Sequence, residues 1–581
     1  MPDEKIFLNY RPGDTSFILK VPFDKKERAK RIGGVWDQTA KGWRFPVDTG
    51  LWEQIRRNFG GKGDLLVDRA FLDKIAAVEE NQRRFEGMRR LAEEDSPIDF
   101  AVPGVALDGK NPLFNYQKWG VKCAAMAEDG FLIGDQPGLG KTAQALAIAI
   151  LRRNRGEISN CLIICPASLK YNWLDEIAKF TRERALVIDG TAKERRQKWM
   201  AAGYFFKITN YETIVNDLFV PADPRLKARK APLPADEVAF RKYMQGQYAM
   251  VCCDEIHALK HFDSQRTQAV KQLRARYRLG LSGTPIDGRL EELHSIFQFL
   301  KPGLFENRRA FLEKHAQFDP FGRVIGYFNV QEVRDRISPY YLRRLKEKVL
   351  QDLPPKLFKD VYVELKKPEM GVYKDLIQGS HEITEEAEAI TRIMRVRQFL
   401  DFPEIIDLRN PSAKFLALAD LLEELVDGNR EKALIFTQYK QVLDRLVKNL
   451  AGRYNIAQIH GDIDPKERVE IVKRFNDGPD AQILIGTDAM STGLNIGGAH
   501  AVIHYEDNFS PALMQQRNDR AHRATTRHNV TIYRFICKGT IEEHFRRALG
   551  DKMELNNRVL DENCTEFGTD GLRGLDLLKY L

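Results

Sequence analysis

The chain has 581 residues, 43% of them hydrophobic and 10% aromatic, which is too long for one hydrophobic core and predicts three or four domains. Lys and Arg number 91 against 82 Asp and Glu, a net +9 in a chain that is 30% charged; this excludes a strongly acidic protein and suits a phosphate-backbone partner if the basic residues cluster. No apolar run approaches the roughly 20 residues of a membrane helix, and seven cysteines without a CxxC pair, behind an acidic start (MPDEK), argue against secretion, a disulfide framework and a zinc site, so a cytoplasmic protein is expected, at the nucleoid or in a nucleus if the host has one.

Residues 1–60 alternate in short strand-like runs, IFLNY, SFILKVPF and KGWRFPV, around a charged helical stretch, KKERAKRIGG, which predicts a small α+β module. Residues 61–105 are rich in Arg, Glu, Leu and Ala at helical spacing and predict a helical connector. From about 106 onward, apolar strand runs alternate with amphipathic helical stretches. FLIGD, CLIICP, FFKIT and AMVCCDE fall within 106–342, and KALIFTQY, IAQIH, QILIGT and AVIHYE within 411–560. Such βα alternation predicts α/β lobes built on parallel sheets with helices on both faces. Between the two groups, residues 343–410 read as a basic hinge, LRRLKEKVLQDLPPK, followed by a helical protrusion, and 561–581 as a tail.

The first strand of the first lobe runs into Asp135-Gln-Pro-Gly-Leu-Gly-Lys-Thr142 and then a helical run, the context of a phosphate-binding loop. There Asp135, Gly138 and Gly140 would shape the loop, Lys141 would contact the β- and γ-phosphates of ATP, and Thr142 would ligate Mg²⁺. A strict motif has Gly or Ala where this chain has Asp135. Asp254-Glu-Ile-His257 ends the strand AMVCC, so Asp254 is expected on the metal and Glu255 at the attacking water. Leu281-Ser-Gly-Thr-Pro285 closes a third strand, with Ser282 and Thr284 as hydroxyls that link nucleotide state to lobe closure. In the second lobe Gln516-Arg-Asn-Asp-Arg-Ala-His-Arg523 sets Arg520 and Arg523 three apart, on one helical face or the turn leading into it, as cations for the charge that develops in phosphoryl transfer. Alone, each of these motifs has a bland reading as a turn, a solvated strand end or a basic helix; their order within two lobes favours the chemical one.

Taken together, GDQPGLGKT, LIICPASLKYNWLDEI, ITNYE, DEIH, LSGTPI, LRRLKEKVLQDLPPK, RQFLDFP, SAKFLALADLLEEL, KALIFTQY, HGDIDPKERVEIVKRFN, DRAHR and YRFICKGTIEE resemble the successive motifs of Swi/Snf-type ATPases of helicase superfamily 2, over roughly residues 106–560. The resemblance implies two RecA-like lobes around an ATP·Mg²⁺ cleft. It also implies base recognition by Gln117 in LFNYQKWGV, and DNA-backbone contacts from Lys170, Asn210, Tyr211, Thr437, Gln438 and the segment from Thr487 to Asn495. Family members commonly carry other residues at Asp287-Gly288, Met490-Ser-Thr492 and Ala524-Thr-Thr526, where DNA coupling is read. The stretch VPFDKKERAKRIGGVWDQTAKGWRFP resembles the HARP-type module of annealing helicases, so Trp43, with Trp36 and Phe45, would stack on unpaired bases. The alternative is that these aromatics form the core of a small domain. The expectation is a monomeric ATP-dependent double-stranded DNA translocase that remodels or anneals branched DNA by coupling ATP hydrolysis to lobe closure, with a DNA-repair role and no membrane partner. Two alternatives compete with it: a strand-separating DNA or RNA helicase, and an ATP-gated DNA-binding subunit of a repair or anti-phage complex.

Overall fold

In the computed structural model, residues 5–550 and 566–568 are described, except 12–15, 33, 48, 61–64, 106–112, 128, 222–232, 285–288, 323, 351–352, 379–385, 407–411, 479–480, 492–493, 495, 523–525 and 527.

The N-terminal module is a mixed sheet of β1 (Ile6–Asn9), β2 (Ser16–Lys20), β3 (Val35–Asp37), β4 (Gly42–Pro46) and β5 (Leu65–Val67), in the order β3-β4-β2-β1-β5. Alternation along β1 and β2 puts Ile6, Leu8, Phe17 and Leu19 inside, where Phe45, Trp52 and Phe71 join them. β5 pairs in parallel with β1, and Phe71 and Ile75 of the next helix, α1 (Arg69–Glu93), close the same core. The helical connector expected over 61–105 therefore begins inside the module, because its apolar Leu65–Val67 run is a better sheet edge than helix start. Asp68 caps α1 by accepting a hydrogen bond from Ala70 N.

Lobe 1 is a seven-stranded parallel sheet of β6 (Gly130–Ile133), β7 (Cys161–Cys165), β8 (Ala185–Val187), β9 (Phe206–Asn210), β10 (Met250–Asp254), β11 (Tyr277–Leu281) and β14 (Tyr341–Leu342), ordered β14-β6-β11-β10-β7-β9-β8. Every residue of β6, β7, β9 and β10 is buried, as a sheet covered on both faces requires. Beside it β12 (Ala316–Phe318) and β13 (Val324–Phe328) form a hairpin, to which β21 (Glu566–Gly568) adds an antiparallel strand. Part of the expected C-terminal tail thus returns to lobe 1.

Lobe 2 is a six-stranded parallel sheet of β15 (Lys356–Val363), β16 (Ala433–Phe436), β17 (Ile456–Ile459), β18 (Ile483–Gly486), β19 (Ala501–His504) and β20 (Val530–Cys537), ordered β15-β20-β19-β16-β18-β17. Its edge strand β15 lies within the segment expected to be hinge and protrusion. Eight residues of β15 pair in register with Lys356↔Val530 through Val363↔Cys537, so the connection between the two sheets is only 343–355. Among the described residues no helix is long and apolar enough to cross a membrane, no group of three or more His, Cys, Asp or Glu is placed to hold a metal, and the six described cysteines are buried free thiols.

Candidate active site

After Ile133 the chain turns through residues 134–140 into the helix α2 (Lys141–Asn154). Gly138 and Gly140 take φ of 89° and 71°, a region that strains any L side chain. A Cβ on Gly140 would also stand 2.3 Å from Gln117 Nε2. This turn brings peptide N–H groups and the positive end of the α2 dipole to one point, a ready anion cradle. Lys141 Nζ donates to the Asp135 carbonyl at 2.8 Å. Burial pulls its pKa down, and the carboxylates of Glu255, Asp135 and Asp254 oppose that.

Asp254 and Glu255 stand where β10 ends. Asp254 accepts from Trp173 Nε1 at 2.9 Å and from Glu255 N at 3.0 Å; burial first, then the neighbouring Glu255 charge, push its carboxyl up to about 6. Burial would raise Glu255 too, but His257, Lys141 and Arg520 outweigh it and hold that carboxyl below the usual range. Glu255 has φ of 49° and ψ of 53°, an uncommon conformation for a side-chain-bearing residue and one that clusters at functional sites. His257 Nδ1 lies 3.3 Å from Glu255 Oε2 and 3.2 Å from the Ser282 hydroxyl, so the end of β10 and the loop after β11 are linked through one imidazole. Thr284 N donates to Ser282 Oγ at 3.2 Å.

Lobe 2 enters this site through the helix Pro511–Ala521, capped by Ser510 Oγ accepting from Leu513 N. Gln516 Nε2 donates to Glu255 Oε1 at 3.5 Å. Arg520 lines the same cavity of about 850 Å³ as Gln117, Gly138, Gly140, Lys141, Thr142, Asp254 and Glu255, its guanidinium held by the carbonyls of Gln516 and Leu494 at 3.2 and 3.0 Å. Arg523 lies outside the described residues. Thr142 and Asp254 offer the oxygen donors that a hard divalent cation takes. The positive-φ glycines, the cradle and the acid pair together fit a nucleoside triphosphate with its magnesium.

Other expected site residues are placed differently. Asp135 is fully buried and turned away from the cleft: its carboxylate accepts from Arg344 Nε at 2.9 Å, from Arg344 N at 3.1 Å and from Gln144 Nε2 at 2.9 Å, with a further ion-paired contact to Arg344. It offers the cleft only its carbonyl, because the buried guanidinium of the hinge takes the side chain. Tyr211 is a core residue whose hydroxyl donates to the Asp254 carbonyl at 2.7 Å, and Asn210 is buried, bonded to Glu212 and Thr213 at 2.8 and 2.6 Å. Thr437 is likewise buried, its hydroxyl donating to Glu506 Oε1 at 2.8 Å. Neither Tyr211 nor Thr437 presents a free side chain to a nucleic acid; both pin a strand end.

Half-buried Gln438 donates to the Asp507 carbonyl at 2.6 Å, half-buried Thr487 caps the short turn after β18, and half-buried Lys170 opens the helix α3 (Lys170–Phe180). The turn that Thr487 caps is tied to the arginine helix by Arg517 Nε donating to Asp488 Oδ1 at 2.8 Å.

Sequence reasoning passed over the hinge cations. Arg344 reaches back to the phosphate loop, while Lys346 Nζ reaches forward to Asp519 Oδ1 at 2.6 Å and to the His522 carbonyl at 2.7 Å. Lys356 meets the same Asp519 oxygen at 2.6 Å. Three cations within four residues, Arg343, Arg344 and Lys346 of LRRLK, inside an apolar frame of Leu342, Leu345 and Val349 were the available signal; all three are buried, and a buried charge is retained only when paired.

A model of the SNF2-related domain matches residues 115–407, and one of the helicase conserved C-terminal domain matches 413–525. The chain belongs to the SNF2-related ATPases of helicase superfamily 2. This SNF2-related chain is 30% identical to the uncharacterized ATP-dependent helicase MG018 of Mycoplasma genitalium, over 79% of its own length and 43% of the relative. It is 27% identical to the TATA-binding protein-associated factor MOT1 of Saccharomyces cerevisiae, over 88% of its length and 30% of the relative. It thus spans less than half the length of these curated relatives. The solved Sulfolobus solfataricus SWI2/SNF2 ATPase core in complex with dsDNA is 25% identical, covering 79% of this chain and 94% of that one, with a TM-score of 0.36.

Proposed function

We propose that this SNF2-related ATPase hydrolyses ATP and uses opening and closure of its lobes to move along double-stranded DNA, branched DNA included, as a monomer. The observation that carries the proposal is the single cleft that gathers Lys141, Thr142, Asp254 and Glu255 from lobe 1 and Arg520 from lobe 2. In this reading Lys141 contacts the β- and γ-phosphates, Gln117 borders the base, and Glu255 orients and deprotonates the attacking water. Arg520 supplies positive charge to the transition state, and only with the lobes together. A magnesium ion on Thr142 and Asp254 would neutralise phosphate charge when bound.

The duplex reading is supported by family membership and by the net charge of +9, and it directs attention to Lys170, at the start of the helix after β7, and to Gln438 and Thr487, in the turns that follow β16 and β18. In the N-terminal module Trp36 is 51% exposed and stands edge-on to half-buried Trp43, ring centroids 5.5 Å apart. Those rings are available for stacking on unpaired bases, which fits the HARP-like reading and a preference for forks. Phe45 is core.

Steady-state ATP hydrolysis measured without nucleic acid and with duplex, single strand, fork and RNA, across a salt series, tests the proposal. Duplex should stimulate, and the stimulation should fall steeply with salt as counterion release predicts. RNA as the better activator would replace the translocase reading with a strand-separating helicase.

A further inference from the structure

Lobe 1 has a second cavity, of about 770 Å³, lined by residues at or just before the starts of β7, β9 and β10: Asn160, Phe205, Lys207 and Tyr248. The ATP cleft draws on the loops that follow β6 and β10, so the two cavities lie at opposite ends of one parallel sheet. Ligands of such sheets ordinarily sit at the carboxyl ends of the strands, and nothing in the nucleotide machinery uses this one.

Its chemistry is cationic and aromatic. Arg153, Arg182, Arg184 and Lys207 line it with one acid, Glu183, which is already ion-paired to Arg153. Among the described residues Arg182, Arg184 and Lys207 have no acidic partner. Lys207 is only 8% exposed, and its Nζ donates to the Trp199 carbonyl at 2.6 Å; burial alone shifts its pKa, downwards. Buried ammonium groups are normally paired with an anion, so this wall is built for one. A second buried polar group borders the same space: Tyr248 lines it and is 4% exposed, and its enclosed hydroxyl has no hydrogen-bond partner. At the rim Tyr243 is 56% exposed, and Arg184 lies 4.7 Å over the ring of Tyr204, flat surfaces of the kind on which a base stacks.

We propose that this cavity binds a phosphorylated nucleoside, with Lys207, Arg182, Arg184 and the Tyr248 hydroxyl on its phosphate and Tyr243 against its base. The proposal does not rest on the motor reading. It is tested by calorimetric titration of the full chain carrying Lys141→Ala, which disables the phosphate loop, with AMP, with inorganic phosphate and with a short 5′-phosphorylated DNA strand.

AMP should bind saturably. The Arg182→Ala, Arg184→Ala double variant removes two exposed side chains and so leaves the fold intact; it should weaken AMP about tenfold or more, as loss of charge-assisted contacts predicts. Tyr248→Phe, which deletes one hydroxyl and keeps the ring, should weaken it in the same direction, and phosphate alone should bind about tenfold worse than AMP for want of stacking. If the phosphorylated strand displaces AMP and shows the same dependence, a strand end is the source of the ligand; if it does not displace AMP, the source is a free nucleotide. Absence of saturable binding by both AMP and the strand, binding indifferent to the double variant and to Tyr248→Phe, or phosphate binding as tightly as AMP would overturn the proposal.

Discussion

At Glu255 the carboxylate sits between His257 of its own lobe and Gln516 of the other, so its substitution should separate binding from chemistry. Glu255→Gln is expected to retain ATP affinity and stall turnover, whereas Lys141→Ala loses phosphate contacts and hydrolysis together; equilibrium nucleotide binding beside steady-state hydrolysis distinguishes the two. Arg520→Ala should lower DNA-stimulated turnover by a factor of about 10³ with little change in nucleotide affinity, because its charge matters in the closed transition state. Equal losses in affinity and rate would mark Arg520 as a structural part of its helix. Asp135 makes a different prediction. Asp135→Asn strands the buried Arg344 guanidinium, and breaking a buried pair from one side typically costs about 3–5 kcal/mol; urea unfolding should show a loss of that order. A loss below about 1 kcal/mol, the size of an exposed pair, would mean that Asp135 and Arg344 are not the anchor described above.

Elements differ in how much of their role the residues alone disclose. The strands of both lobes were legible as unbroken apolar runs because parallel strands are buried on both faces, and the phosphate loop was legible because positive-φ glycines before a helix have few other uses. β15 was not. Its burial is confined almost to Val363, with Leu357, Phe358 and Tyr362 exposed, so no pattern in KLFKDVYV announces an eight-residue register with β20; that pairing is set by where the hinge delivers the chain. In the N-terminal module the sequence left Trp36, Trp43 and Phe45 open between core and ligand surface. The sheet divides them by depth and not by face: Trp43 and Phe45, two apart on β4, share the core side, where Phe45 is fully buried against Phe17, ring centroids 5.6 Å apart, while Trp43 packs half-buried at the edge of the same core beside Trp36. Phe45→Ala should therefore unfold the module, at about 3–5 kcal/mol for a core aromatic, while Trp43→Ala should leave it folded. Limited proteolysis of the full chain reads the difference, and equal protease sensitivity of the two variants would defeat this assignment.

On the scale of the whole molecule, the lobes are joined by charge. Lys346 within the short connection and Lys356 just after it converge on Asp519 of the arginine helix, while Arg344 of the same connection holds the phosphate loop. Burial alone would raise the Asp519 carboxyl, but the two ammonium groups outweigh it and bring it down from 3.8 to about 2. A depressed carboxylate stabilises the folded state above its unfolded pKa and loses that contribution as pH falls through the folded one. Asp519→Asn should accordingly be less stable than the parent near neutral pH by roughly 2 kcal/mol, the worth of such a shift, and the gap should close as pH falls from about 4 to about 2. Chemical denaturation at stepped pH measures it; a gap that stays constant across that window would remove Asp519 as the titrating group.

By itself the sequence determined the fold class, the order of the lobes and a set of residues, Lys141, Thr142, Asp254, Glu255 and Arg520, that the fold brings to one cleft, because local motifs at element ends dictate which side chains emerge there. What it left undecided were partnerships between residues far apart in the chain. That Asp135 belongs to Arg344, that Tyr211 supports the Asp254 carbonyl, that Thr437 is held by Glu506 and that Leu65–Val67 and Glu566–Gly568 complete distant sheets are consequences of packing. A side chain's periodicity records whether it is buried, but its hydrogen-bonding partner is chosen only when the sheets, the hinge and the second lobe come together and each buried polar group must find a mate.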